Sequence, residues 1–280
     1  MVKIRNIKIG LGQPLTIIAG PCVIENESMI LHTAEELKRK TENLPVQFIF
    51  KSSYRKANRT SIKGFSGLAF PTALAILHRV KEEFGFLITT DVHNELEAPV
   101  VAEVVDVLQI PAFLSRQTDL LLAAGRTGRA VNIKKGQFLA PEDMAKAAEK
   151  VASTGNRNIL LTERGTTFGY HNLVVDMRSF IIMEKSGFPI VYDATHSIQL
   201  PGGLGHASGG QPEFILPLAR AALATGAVCA IFMEVHPDPP NALSDAASQL
   251  PLNRFTEIVE KLLNVYDTVV IKGNLDNENS

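Results

Sequence analysis

Tryptophan is absent from the 280-residue chain, and only four tyrosines and two cysteines are present. Two cysteines, Cys22 and Cys229, cannot build a disulfide framework, which argues against a stapled secreted scaffold and fits a reducing compartment. Charge of one sign is missing too, since 28 Lys and Arg face 29 Asp and Glu for a net of −1. Such balance exerts no global pull on nucleic acid or an anionic membrane, so any bound anion must be gripped locally. No uninterrupted apolar run is long enough to span a bilayer. The opening "MVKIRNIKIG" alternates charged and aliphatic residues and lacks the apolar core of a signal peptide. The expectation is a cytoplasmic chain with neither nucleic-acid nor membrane partners.

What is there is apolar bulk, 45 % of residues, arranged as eight short runs separated by longer amphipathic ones. The runs are "LTIIAG" (15–20), "QFIFKSS" (47–53), "FLITTDV" (86–92), "VDVLQIPA" (105–112), "AVNIKKG" (130–136), "NILLTERG" (158–165), "PIVYDATH" (189–196) and "AVCAIFMEVH" (227–236). They are near-continuously apolar rather than alternating, as strands covered on both faces of a parallel sheet must be. Stretches such as "FPTALAILHRVKEEFG" between them carry helical periodicity and end at a Gly suited to a helix C-terminus. Strand then helix, eight times over, predicts an α/β fold of the (β/α)8 TIM-barrel type. A doubly wound sheet is the alternative, but no G-x-G-x-x-G turn follows the first run. The reading is one barrel over residues 1–272, a short N-terminal hairpin closing its bottom, and a polar tail at 273–280. The glycine-rich "LPGGLGHASGGQPEF" (200–214) matches neither nucleotide-loop spacing and reads as a flap over the mouth.

Every run ends in chemistry. Cys22 follows the first, Lys51 and "YRKANRTS" the second, Asp91 and His93 the third and Gln109 the fourth. Lys134 and Lys135, Glu163 and Arg164, Asp193 and His196, and Glu234 and His236 end the other four. Barrel enzymes build their sites at the C-terminal ends of their strands, so these groups should converge on one mouth. Two clusters stand out. Cys22, His196, Glu234 and Asp245 are each able to ligate a metal, and one thiolate, one imidazole and two carboxylates suit Fe2+, Zn2+ or Mn2+. The competing reading is a buried thiol, a hydrogen-bonded histidine and two solvated acids. Lys51, Lys56, Arg59, Lys134 and Arg164 form a cationic set. Lys51, Lys134 and Arg164 lie in or just after apolar strands, where a charge must find an anion. Several cations on one cavity imply a multiply charged substrate, most simply phosphate esters.

These blocks carry a resemblance. "AGPCVIE", "FKSSYRKANRTS", "TTDVH", "QIPAFLSRQTDLL", "NIKKGQF", "LTERGTTFGYHNLVVDMRS", "YDATHS" and "FMEVHPDPPNALSDAASQLPL" resemble, in order over about residues 15–265, the 3-deoxy-D-manno-octulosonate 8-phosphate synthases. The resemblance implies condensation of phosphoenolpyruvate with D-arabinose 5-phosphate and release of phosphate, on the path to the inner sugar of lipopolysaccharide, by a homotetrameric barrel. Members with cysteine after "GP" are metal-dependent and those with asparagine there are not. Cys22 thus resembles the metal-class cysteine, with His196, Glu234 and Asp245 matching the other ligands of one divalent ion per subunit. By the same matching Lys134 and Arg164 would hold phosphoenolpyruvate with Lys51 nearby. Lys56, Asn58, Arg59 and Thr60 would hold the sugar phosphate, Thr60 standing where serine is expected. Gln109, Phe113 and Arg116 are further substrate-site candidates, the last two matching residues that border a neighbouring subunit's site. Two alternatives are the sister 3-deoxy-D-arabino-heptulosonate 7-phosphate synthase, acting on erythrose 4-phosphate, and a non-catalytic sugar-phosphate-binding barrel. The sister's loop reads Lys-Pro-Arg-Thr where this chain has "KANRT".

Overall fold

The computed structural model describes residues 1–58, 64–203 and 208–272, with side chains to residue 270. Eight parallel strands form the barrel: β1 Thr16–Gly20, β2 Gln47–Lys51, β3 Leu87–Asp91, β4 Val107–Ile110, β5 Ala130–Lys134, β6 Ile159–Glu163, β7 Ile190–Asp193 and β8 Val228–His236. Each pairs with the next, and β8 returns to β1 through the pairs Ala230↔Thr16 to Glu234↔Gly20. The sheet is therefore closed, which leaves no edge strand inside it. All eight runs read from the sequence are these strands, trimmed by up to three residues at an end.

The helices are α1 Glu27–Thr41, α2 Phe70–Phe84, α3 Glu97–Val104, α4 Thr118–Arg126, α5 Asp143–Ala152, α6 Arg178–Glu184, α7 Ile215–Ala224 and α8 Phe255–Tyr266. Asn26 caps α1 by accepting from Met29 N at 2.9 Å. Gly85 ends α2 at φ +69°, a left-handed turn that glycine enters without a Cβ penalty.

The near-continuous apolarity of the strands now has its cause. Their outward residues, among them Ile17, Phe50, Ile88, Leu108, Val131 and Leu161, pack against the helices in one core. Their inward residues Ile18, Ile49, Leu87, Val107, Ala130, Leu160, Val191 and Phe232 make a second core inside the barrel. Val2, Ile4 and Ile9 of the antiparallel hairpin Val2–Ile4/Ile7–Ile9 complete that inner core, so the hairpin plugs the N-terminal end. A buried carboxylate fastens it. Asp106 takes Arg5 Nε at 2.9 Å, Lys81 Nζ at 3.0 Å and the Ile88 amide at 3.0 Å.

At the other end β1 and β2 approach so closely that a Cβ added to Gly20 would lie 2.1 Å from the Lys51 carbonyl oxygen. Gly20→Ala is expected to force these strands apart and destabilise the fold by about 1–3 kcal/mol. A denaturant midpoint unchanged within error would show that the contact relaxes freely.

Candidate functional site

The C-terminal mouth of the barrel opens into a cavity of about 230 Å3 lined by Lys51, Lys56, Asn58, Asp91, His93, Phe113, Lys134, Arg164 and His196, among others. Strand direction explains the convergence. Lys51, Asp91 and Lys134 are the last residues of β2, β3 and β5, and Arg164 and His196 stand one and three residues beyond β6 and β7.

Lys51 and Lys134 are buried, Lys56 is partly so, and all three are paired. Lys51 Nζ reaches Glu234 Oε1 at 2.9 Å and the Cys22 carbonyl at 3.1 Å, and Lys56 Nζ reaches the same Glu234 oxygen at 3.3 Å. Lys134 Nζ donates to Asp193 Oδ2 at 2.6 Å and lies 3.8 Å from the Phe232 ring centre. Burial lowers the Lys134 pKa, against the opposing pull of Asp193 and Asp91. For Lys56 burial also disfavours charge, but Cys22, Glu234 and Asp245 outweigh it and hold the pKa well above the ordinary value. Arg164 differs from the lysines. Its Nη2 donates to Gln199 Oε1 at 3.0 Å, while its Nη1 is buried without a hydrogen-bond partner among the described residues. A buried guanidinium N–H left free at a cavity wall is a donor suited to an anion.

The acids show the reverse effect. Burial raises the Glu234 pKa, but His196, Lys51 and Lys56 dominate and hold it well below the ordinary carboxylate value. Asp193 is likewise held low by His196 and Lys134 against its burial.

Cys22, Glu234 and Asp245 each place a donor atom within 4.8 Å of one another. Cys22 Sγ lies 3.2 Å from Asp245 Oδ2 and 2.9 Å from Ser244 Oγ, and its amide donates to Gln249 Oε1 at 3.2 Å. His196 stands beside this trio, with Nε2 at 3.5 Å from Glu234 Oε1 and Nδ1 at 2.8 Å from Asp193 Oδ2. Asp245 itself is held at φ +48°, an uncommon conformation for a residue with a Cβ. Burial, then Asp245 and Glu234, push the Cys22 thiol well above its usual pKa. Glu234 Oε2 is buried with no hydrogen-bond partner among the described residues. An orphaned carboxylate oxygen beside a thiol, a second carboxylate and an imidazole fits a divalent cation.

Other candidates fall differently. Asn58 and Phe113 line the cavity, Phe113 with 55 % of its surface exposed. Gln109 lies deeper, its amide donating to Asp91 Oδ1 at 2.7 Å and accepting from Asn132 Nδ2 at 3.1 Å. Arg116 lines a separate surface depression with Lys146 and Lys150. Arg59, Thr60 and the tail at 273–280 lie outside the described residues. The base of the 200–214 loop is stitched by the antiparallel pairs Gln199↔Gly210 and Leu200↔Gly209. Asp91, His93 and Asp193 belong to the cavity or brace it, and their place at strand ends was the signal that marks them. Tyr54 and Glu97, which hold His93, gave no such signal.

The DAHP synthetase I family matches residues 1–269 of the chain. The chain belongs to this family. Within it, the chain is 52 % identical over 275 residues to the 2-dehydro-3-deoxyphosphooctonate aldolase of Syntrophotalea carbinolica, covering 98 % of each sequence. It is 54 % identical to the protein of the same name from Geotalea uraniireducens, over 93 % of this chain and 96 % of that one. The protein of that name from the Cyanothece strain is 53 % identical over 266 residues. That name denotes the 3-deoxy-D-manno-octulosonate 8-phosphate synthase activity.

Proposed function

We propose that this chain is an enzyme condensing phosphoenolpyruvate with D-arabinose 5-phosphate and water to give 3-deoxy-D-manno-octulosonate 8-phosphate and phosphate. The convergence of Lys51, Lys56, Lys134 and Arg164 on one cavity carries the reading, because two phosphorylated reactants must share it. The enol carbon of phosphoenolpyruvate attacks the aldehyde, water adds at the neighbouring carbon, and phosphate departs with C–O cleavage. Arg164 and Lys134 hold the phosphate and carboxylate of phosphoenolpyruvate, and Lys51 neutralises charge between the reactants. Lys56 and Asn58, with Arg59 and Thr60, hold the sugar phosphate. To take up these anions, Lys134 and Lys51 exchange part of their contact with Asp193 and Glu234. Cys22, His196, Glu234 and Asp245 are the residues that would hold one Fe2+, Zn2+ or Mn2+ per subunit. Such an ion supplies Lewis acidity at the mouth.

A cytoplasmic homotetramer serving lipopolysaccharide synthesis completes the proposal, on the strength of the resemblance. The exposed Phe113, Phe138, Phe168 and Tyr170 support assembly, since rings of this size gain from being covered. Among the described residues no helix is long and apolar enough to cross a membrane.

The test is phosphate release with phosphoenolpyruvate plus either sugar phosphate. Arabinose 5-phosphate is expected to give roughly tenfold or more the kcat/KM of erythrose 4-phosphate, because the Asn58 amide hydrogen-bonds a sugar hydroxyl where proline could not. Preference for the four-carbon sugar would assign the sister activity instead.

A further inference from the structure

His93 lines the cavity on the side of Lys56 and Asn58, because β2 and β3 are neighbours. Its ring is held from behind. His93 Nδ1 lies 3.0 Å from the Tyr54 hydroxyl, and that hydroxyl donates to Glu97 Oε2 at 2.5 Å. Glu97 Oε2 also accepts the His93 amide at 3.1 Å, while Glu97 Oε1 accepts from Arg55 Nη2 at 3.0 Å. The Tyr54 ring meets His93 edge-on at 5.3 Å and Phe70 at 5.0 Å, so it cannot swing away. A phenol has one proton. Given to Glu97, it leaves only an oxygen lone pair for His93, so Nδ1 must bring its own hydrogen. Nε2 then carries a lone pair, and no described residue hydrogen-bonds it. It is the nitrogen left for the cavity.

We propose that Tyr54 and Glu97 are positioning residues that lock His93 in its Nδ1–H tautomer, so that Nε2 accepts a hydrogen bond from a hydroxyl of the sugar phosphate. The proposal rests on the two-substrate reading above. Ionised phosphoenolpyruvate offers only acceptors, so a fixed acceptor in the wall discriminates for the hydroxylated partner. Tyr54 is kept as the neutral phenol by burial and by Glu97, which raise its pKa. Burial raises the Glu97 pKa, but Tyr54, the His93 amide and Arg55 prevail and keep it below the ordinary value. The charged groups facing His93 are Asp91 of β3, Glu97 of α3, and Arg55 and Lys56 of the β2–α2 loop. Burial outweighs the two acids and lowers the His93 pKa below 6.5. The imidazole thus stays neutral, and the acceptor intact, through neutral pH.

The test uses the full-length, metal-loaded enzyme. Nitrogen-15 shifts of its imidazoles, with His93 assigned by its loss in His93→Gln, are expected to show Nδ1 protonated and Nε2 free. Tyr54→Phe exposes Nδ1 to the Glu97 carboxylate alone, 3.5 Å away. With the phenol no longer sharing that carboxylate, imidazolium is favoured, so the acid limb of kcat/KM for the sugar should move to higher pH. In Tyr54→Phe/Glu97→Gln the lock is gone, and the proton should distribute over both nitrogens. The KM for arabinose 5-phosphate should then rise roughly tenfold with that for phosphoenolpyruvate within about twofold. An Nε2–H tautomer in the wild type would overturn the proposal. So would an unchanged tautomer, pH profile and sugar KM in both variants. Failure of the two-substrate reading looks different: wild-type enzyme would release no phosphate with either sugar, while the nitrogen shifts would still decide the lock.

Discussion

Arg164→Ala is expected to lower kcat/KM for phosphoenolpyruvate between roughly thirtyfold and several-thousandfold, a loss of about 2–5 kcal/mol. The magnitude follows from burial. Arg164 is 5 % exposed, its Nη1 has no protein partner among the described residues, and burial lowers its pKa because water is excluded. An anion arriving there meets a charge that solvent does not screen. The KM for phosphoenolpyruvate should rise far more than that for the sugar, because Lys56 and Asn58 stand on the β2 side of the cavity. Arg164→Lys should recover only part of the loss, since an ammonium lacks the fork geometry that grips phosphate or carboxylate in two places. Activity within threefold of wild type in Arg164→Ala would remove this residue from the anion site.

The second large effect concerns the metal candidates. Chelation is expected to abolish turnover, and a divalent ion to restore it. Cys22→Ala should purify with little metal, because a soft ligand is lost from a cluster whose other members are one imidazole and two carboxylates. Cys22→Asn is the sharper variant. It should lose most metal affinity and retain partial activity without any ion, since Lys134 and Arg164 are untouched and the metal-independent branch carries asparagine here. If Cys22 is only a core side chain, Cys22→Ala will cost a little stability and leave metal content unchanged. Metal analysis of both folded proteins at equal concentration separates the outcomes.

The barrel was legible because burial on two faces writes itself into composition. Eight apolar runs needed no knowledge of which residues touch. The site was legible to the extent that strand ends share one mouth: Lys51, Lys134 and Arg164 could be placed by position alone. Partnership could not. Lys51 meets Glu234 over the intervening β1 and Lys134 meets Asp193 over the intervening β6, and nothing in the spacing of 183 or 59 residues announces either pair. Gln109 lies next to the end of its strand, yet its amide is consumed by Asp91 and Asn132, a consequence of side-chain direction that no linear pattern encodes. Arg116 parts from Phe113 because the 3-10 turn Ala112–Leu114 redirects the chain between them. His93 was visible at its strand end, whereas Tyr54 and Glu97, 39 and 4 residues away in sequence, acquire meaning only through contact.

The hairpin plug has a kinetic corollary. With Val2, Ile4 and Ile9 sealing one end, the C-terminal mouth is, among the described residues, the opening onto the cavity. Two reactants must queue through it, and the departing phosphate must leave by the way they came. Every phosphate still inside blocks the next arrival, so traffic, as much as bond-making, can set the pace of the cycle.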